Sequence, residues 1–155
     1  MKTKLFIITI IALVLWYLYY IRDREHQCSY LIYDFGTFNA RRGNISADLE
    51  IRGDNRTGKL TSIDFENLSN QTAEAYRNMK EAKISDSKLK QMQSQYSEMY
   101  YRYSTLFKNK ASLLKEYEEK NSLQSKTDIM FVENQIYDLD KKREVLDKAA
   151  KKLCS

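Results

Sequence analysis

The side chains best placed to do chemistry in this sequence are its two cysteines, Cys28 and Cys154, which lie far apart along the chain. In an oxidising compartment an even count suggests one disulfide. His26 is the single histidine, so no His-based metal site or Ser-His-Asp set can be assembled within the chain. The four glycines (Gly36, Gly43, Gly53, Gly58) form neither GxGxxG nor GxxxxGK, so the phosphate-cradling loops are missing. CxxC and HExxH are also absent. Carboxylate pairs such as Glu118–Glu119 and Asp138/Asp140 fall on predicted exposed helix faces, where they solvate and do not form an acid–base pair. Tyr96, Tyr100, Tyr101 and Tyr103 resemble a stacking surface for bases, but their heptad spacing assigns them to packing. The expectation is a non-enzyme with no catalytic residues, cofactor, metal or nucleic-acid partner.

The stretch that positions everything else runs from Leu5 to Ile21, LFIITIIALVLWYLYYI, uncharged and free of Pro and Gly. As a helix it reaches roughly 26 Å, near the short end of what spans a bilayer. Trp16, Tyr17, Tyr19 and Tyr20 at its far end suit the membrane interface. Signal cleavage needs small residues, and YLYYIRDREHQC offers only large or charged ones before Cys28. The same feature argues against a lipoprotein. An uncleaved single-pass anchor follows, with Lys2 and Lys4 on the cytoplasmic side. Residues 1–4 are then cytoplasmic, 5–21 the transmembrane helix, 22–26 a charged linker, and 27–155 an extracytoplasmic domain. In a bacterium this means the inner membrane, with the domain in the periplasm.

Net charge is +5 and unevenly spread. The last 15 residues carry Lys141, Lys142, Arg143, Lys148, Lys151 and Lys152 against Glu144 and Asp147. Such a tail could touch anionic lipid or nucleic acid, but a solvated helix face is the preferred reading. Pro is absent altogether, which favours long uninterrupted helices.

From Gln27 the residues read as strand. CSYLIYDF is aromatic and β-branched, NISADLEIR alternates, and KLTSIDFEN places Ile63 and Phe65 two apart. TFNARRGN and GDNRTG supply the turns. A small antiparallel sheet of about three strands over 27–66 follows, its apolar face in need of a helical cover. NLSNQT (Asn67–Thr72) reads as a polar joint. Asn44, Asn55, Asn67 and Asn70 each open an N-x-S/T triplet, which in so polar a chain is expected by chance. Residues 73–84 fit helix or a fourth strand, with helix preferred.

The clearest periodicity comes next. Leu89, Met92, Tyr96, Met99, Tyr103, Leu106, Lys110, Leu113 and Tyr117 step alternately by three and four. Ile129, Val132, Ile136, Leu139, Arg143, Leu146, Ala150 and Leu153 form a second seam. Lys120–Thr127 is the short polar joint between them, with Ser125 and Asp128 at capping-box spacing. The arrangement is an antiparallel helical hairpin over 86–153, completing an α+β domain. Lys110 and Arg143 interrupt the seams and must snorkel or pair with a carboxylate. A returning second helix carries Cys154 back towards Cys28, which makes an intrachain bridge sterically reasonable. Two reduced thiols, or a Cys154 bond between chains in a homodimer, are the alternatives.

The lysine-led apolar run, a Cys opening CSYLIYDF, the turn and strand RTGKLTSIDF and the terminal KLCS together resemble the FidL-like family of small enterobacterial inner-membrane proteins. The resemblance covers residues 1–66 and the terminal Cys. It implies a periplasmic companion of a membrane-bound transcription regulator, with Cys28 and Cys154 as a structural bridge. The long heptad region departs from that family's β structure. A rival outline is similar to the phage inner-membrane spanin subunit, a lysis protein, and a coiled-coil envelope scaffold is a third. In every case the expected partners are the lipid bilayer and another protein.

Overall fold

The computed structural model describes residues 8–31, 60–120 and 123–155, and among these every regular element is an α-helix. They are α1 (residues 8–31), α2 (Ser62–Glu81), α3 (Ser87–Lys120) and α4 (Leu123–Cys154). The expected α+β class with a small sheet is corrected to an all-helical one for the described residues. The second strand, NISADLEIR, and both turns beside it lie outside them.

The first strand is overturned at its first four residues, Cys28–Leu31, which belong to α1; the rest of CSYLIYDF lies outside the described residues. RDREH contains no helix breaker, and the helix that begins in the apolar run continues past Cys28 to Leu31. Gln27, Cys28 and Leu31 fall on one helical stripe, and all three are buried. The residues expected as a charged linker, 22–26, are helical and part of α1.

The anchor is corrected as well. Among the described residues no helix is long and apolar enough to cross a membrane. The apolar turns of α1 pass directly into Arg22, Asp23, Arg24 and Glu25, and Leu5, Phe6 and Ile7 lie outside the described residues. The single-pass, inner-membrane and periplasmic assignments fall with the anchor. What the structure shows instead is that every side chain from 8 to 20 is exposed.

The third strand is replaced by the start of α2. Thr61 accepts from the backbone N–H of Asp64 at 3.3 Å, while the Asp64 carboxylate accepts from the Thr61 backbone N–H at 2.8 Å. This reciprocal capping box starts a helix where alternation suggested a strand. Phe65, Leu68, Thr72, Ala75 and Met79 then recur at helical spacing and are buried. The expected polar joint at 67–72 lies inside the same helix. Ser69 Oγ donates to the Ser104 carbonyl across the interface at 2.9 Å, and Thr72 Oγ1 to the Leu68 carbonyl at 2.7 Å. Small polar residues satisfied this way let α2 and α3 approach closely.

α3 is the central element. It packs against both α2 and α4, which do not pack on each other. Its 34 residues make a helix about 50 Å long. One stripe (Leu89, Met92, Tyr96, Met99, Tyr103) and a neighbouring one (Gln93, Ser97, Tyr100, Phe107, Ala111) are both buried. Phe65 of α2 meets Phe107 at a centroid distance of 6.0 Å, and Tyr103 stacks on Phe107 at 5.6 Å. The tyrosines at 96, 100 and 103 are core side chains, while Tyr101 is exposed.

The helical register of α2 makes a direct prediction. Phe65→Ala should cost about 3–5 kcal/mol, the range for emptying an aromatic core position. Ile63→Ala, at an exposed position, should change stability by less than about 0.5 kcal/mol. Urea unfolding midpoints measure both, and equal losses at the two positions would restore the strand reading.

Candidate functional site

Three places in the fold bring polar or reactive side chains together. The first is the joint between α2 and α3, where α1 and the end of α4 also meet. The Gln27 carboxamide oxygen accepts from the backbone N–H groups of Ser85 and Asp86, at 2.9 and 3.2 Å. Its Nε2 donates to Ser85 Oγ at 2.8 Å and to the Asp23 carboxylate. From the other side, Gln93 Nε2 donates to the carbonyls of Met79 and Ala82, at 2.6 and 2.7 Å. Those carbonyls belong to the end of α2, where the helix itself supplies no donor.

Asp86 caps α3. Its Oδ1 accepts from the backbone N–H groups of Lys88 and Leu89, at 2.9 and 3.0 Å. Oδ2 faces Tyr20 Oη at 3.3 Å and the Arg24 guanidinium at 3.8 Å. Hydrogen bonds from the Leu89 backbone, then from Lys88 and Tyr20, with the Arg24 charge, outweigh burial and hold this carboxyl below the usual range. Arg24 also donates to the Leu153 carbonyl at 3.1 Å, serving the carboxyl end of α4. Beside it Cys28 and Cys154 are joined, their Cα atoms 5.6 Å apart.

The second place is the seam between α3 and α4. Tyr96 donates to Asp147 at 3.1 Å, Tyr103 donates to Asp140, and Lys110 pairs with Glu133 at 2.7 Å. These ties are spaced seven residues apart on each helix, so they form an antiparallel ladder one heptad per rung. Lys110 also lies over the Phe65 ring at 4.2 Å, linking α2 to the ladder. Arg143 sits 3.6 Å from Asp140. The two cations that interrupted the seams are thus each met by a carboxylate. Burial raises the Asp147 carboxyl above its ordinary value, against the opposing hydrogen bond from Tyr96. Burial and the adjacent Asp147 charge raise the Tyr96 phenol.

The third place is an open groove on the far side of the α3–α4 pair. Two hollows of about 410 and 420 Å³ share Arg102, Leu139 and Lys142 and form one trough. Met99, Leu106 and Leu146 make its floor, and Val145 stands at its lip. Glu98, Arg102, Asp138 and Lys142 make a polar rim.

The expected interface aromatics are on α1. Trp16, Tyr17 and Tyr19 are exposed, Trp16 stacks on Tyr20 at 6.0 Å, and Tyr20 is drawn to Asp86. His26 is exposed at the edge of the joint. Among the described residues no three His, Cys, Asp or Glu side chains stand close enough to hold a metal ion. No local pattern in the sequence marks Gln27 or Gln93 for these roles. The seam spacing could have shown the ladder, since Tyr96, Tyr103 and Lys110 are successive positions of one register. Comparison with known proteins finds no matching family model, curated protein or solved structure.

The two aspartates should respond to acid in opposite senses. For Asp86 the folded value lies below the ordinary 3.8, so its contribution is full above that pH and lost as pH falls through the folded value. Asp86→Ala should cost about 0.5–2 kcal/mol at pH 7, with the deficit shrinking below about pH 4. Asp147 has a raised folded value, so protonation favours the folded state as pH falls through it. Asp147→Asn, which keeps an acceptor for Tyr96, should be no less stable than the parent at pH 7. Thermal melts from pH 7 to 3 test both signs. A deficit of Asp86→Ala that grows on acidification would refute the first.

Oxidation is the other handle on the joint. In the chain-entropy model a bridge closing so long a loop contributes about 4–5 kcal/mol. Cys28→Ser should lower the urea midpoint accordingly, and a reductant should do the same to the parent but leave the variant unmoved. A parent indifferent to reductant would mean the bond adds nothing.

Proposed function

We propose that this chain is a non-catalytic helical module that acts by binding a protein partner. The observation that carries the reading is the α3–α4 groove, an open trough with an apolar floor and a polar rim. Two packed helices presenting such a trough accept the apolar face of a further helix. The module is held for this work along the seam by the polar ladder and at the joint by the disulfide. An intrachain bond supports a compact companion of a regulator, as the sequence resemblance implies, over a spanin-like rod paired through Cys154.

A second reading, contact with a lipid bilayer, is favoured by α1. Its turns over 8–20 are apolar and exposed on every side, a surface far larger than scattered apolar residues present. This is contact with lipid and not a span.

One experiment separates the two. A photoreactive phenylalanine analogue is placed at Val145, at Leu15, and at Lys108 as a control off the groove, in cells that produce the chain. The expected result is a discrete heavier adduct from Val145 that mass spectrometry resolves as one protein, with none from Lys108. Lipid adducts from Leu15 with no protein adduct from Val145 would replace the protein reading with the lipid one. Identical adducts from Val145 and Lys108 would remove the groove from the argument.

A further inference from the structure

Among the described residues α4 packs along its length on α3 and meets α1 only at its carboxyl end, and its outward face is not an ordinary solvated one. Leu123, Met130, Tyr137 and Val145 follow one another at steps of seven, seven and eight, and all four are exposed. At 100° per residue they stay within a narrow stripe facing away from the buried Val132, Ile136, Leu139 and Ala150. The stripe covers about 33 Å of helix, three heptads, and reaches the groove at Val145. Lys126, Lys141, Lys148 and Lys152 lie along it and are exposed, against the exposed Asp138 and Glu144 on its flanks. Lys141 meets Glu144 at 3.8 Å and covers the Tyr137 ring at 5.3 Å. Lys126, Lys148 and Lys152 have no carboxylate partner among the described residues.

We propose that this stripe is a docking surface for an acidic amphipathic helix of the protein partner. The proposal rests on the protein-binding reading above and adds the chemistry of the partner. Apolar residues seven or eight apart on one face match the layers of a packed helix pair, and lysines along such a seam choose a partner with glutamates facing them. A second copy of α4 is disfavoured by the same lysines, which would face one another. A lipid surface requires a broad apolar sector, and this stripe widens only at Phe131 and is interrupted by Asn134 and Lys141.

The test uses the full chain and a fluorescent 24-residue peptide with Leu at a and d and Glu at e and g. A counterpart carries Lys in place of Glu. The Glu peptide should raise the anisotropy saturably, more weakly as salt is increased, while the Lys peptide does not bind. Lys141→Glu combined with Lys148→Glu should weaken the Glu peptide at least tenfold while leaving helicity unchanged by circular dichroism. The proposal is overturned if neither peptide binds, or if the double variant binds the Glu peptide as the parent does. It is also overturned if phosphatidylglycerol vesicles sediment the chain through these same lysines while the Glu peptide is ignored. A Val145 adduct that survives the double variant would sink this surface but leave the protein-binding reading standing.

Discussion

The register of α4 against α3 is the constraint on which the rest of the arrangement depends. Apolar burial alone would tolerate a slip along a seam in which most positions are simply large. The ladder does not. Tyr96–Asp147, Tyr103–Asp140 and Lys110–Glu133 are all made together only in one alignment, because each rung is one heptad from the next on both helices. A slip by one heptad leaves Asp147 and Lys110 without their partners in one direction, and Tyr96 and Glu133 in the other, at the cost of unpaired polar groups. The same alignment sets Cys154 level with the start of α3, where α1 passes. Formation of the Cys28–Cys154 bond is therefore a consequence of register, and afterwards the bond holds that register closed.

The α2–α3 joint solves a different problem. Its residues include neither Gly nor Pro, so the turn is not specified by backbone preference. It is specified by side-chain amides reaching in from elsewhere. Gln27 takes the two N–H groups that lead into α3, and Gln93 takes two carbonyls near the end of α2. Asp86 then ties the cap of α3 to Tyr20 and Arg24 of α1. Without α1 this joint would expose unsatisfied backbone to a largely apolar setting. This is why the helix that begins with the most apolar stretch of the chain ends as the least dispensable polar support of the fold.

How much of this was legible depended on the range of the interaction. The spacing of Leu89, Met92, Tyr96 and Met99 marks a long helix, because a buried stripe at steps of three and four is written entirely in local sequence. Ile63 and Phe65 misled, since two apolar residues two apart fit a strand as well as the first turn of a helix. Thr61 and Asp64 carried the correcting signal, a capping pattern in which Asp stands where Glu is usual. The same ambiguity holds at CSYLIYDF, whose aromatic and β-branched composition suits a strand while Cys28–Leu31 continue α1. Composition describes what a residue prefers, whereas the stripe of Gln27, Cys28 and Leu31 reflects what the neighbouring joint requires. The amide contacts at that joint span dozens of residues in sequence, and no local pattern announces them.

The two sides of α3 are built unlike each other, and that difference bears on function. Towards α2 the interface is aromatic and small-polar, with Phe65, Phe107 and Thr72 buried and Ser69 bonded across it. Towards α4 the interface relies on rungs whose polar ends lie near the surface. α4 is thus held in place at several points without being enclosed. A helix needed only for stability gains most by turning its apolar residues inward, yet Leu123, Met130, Tyr137 and Val145 point out. Keeping them exposed forgoes burial that would be worth about 1.5–3 kcal/mol for a fully buried side chain of this size. Their spacing of seven, seven and eight gives that surface the period of a helix and not the scatter of a solvated face. The ladder fixes where this surface stands, and the lysines along it fix the sign of what it meets.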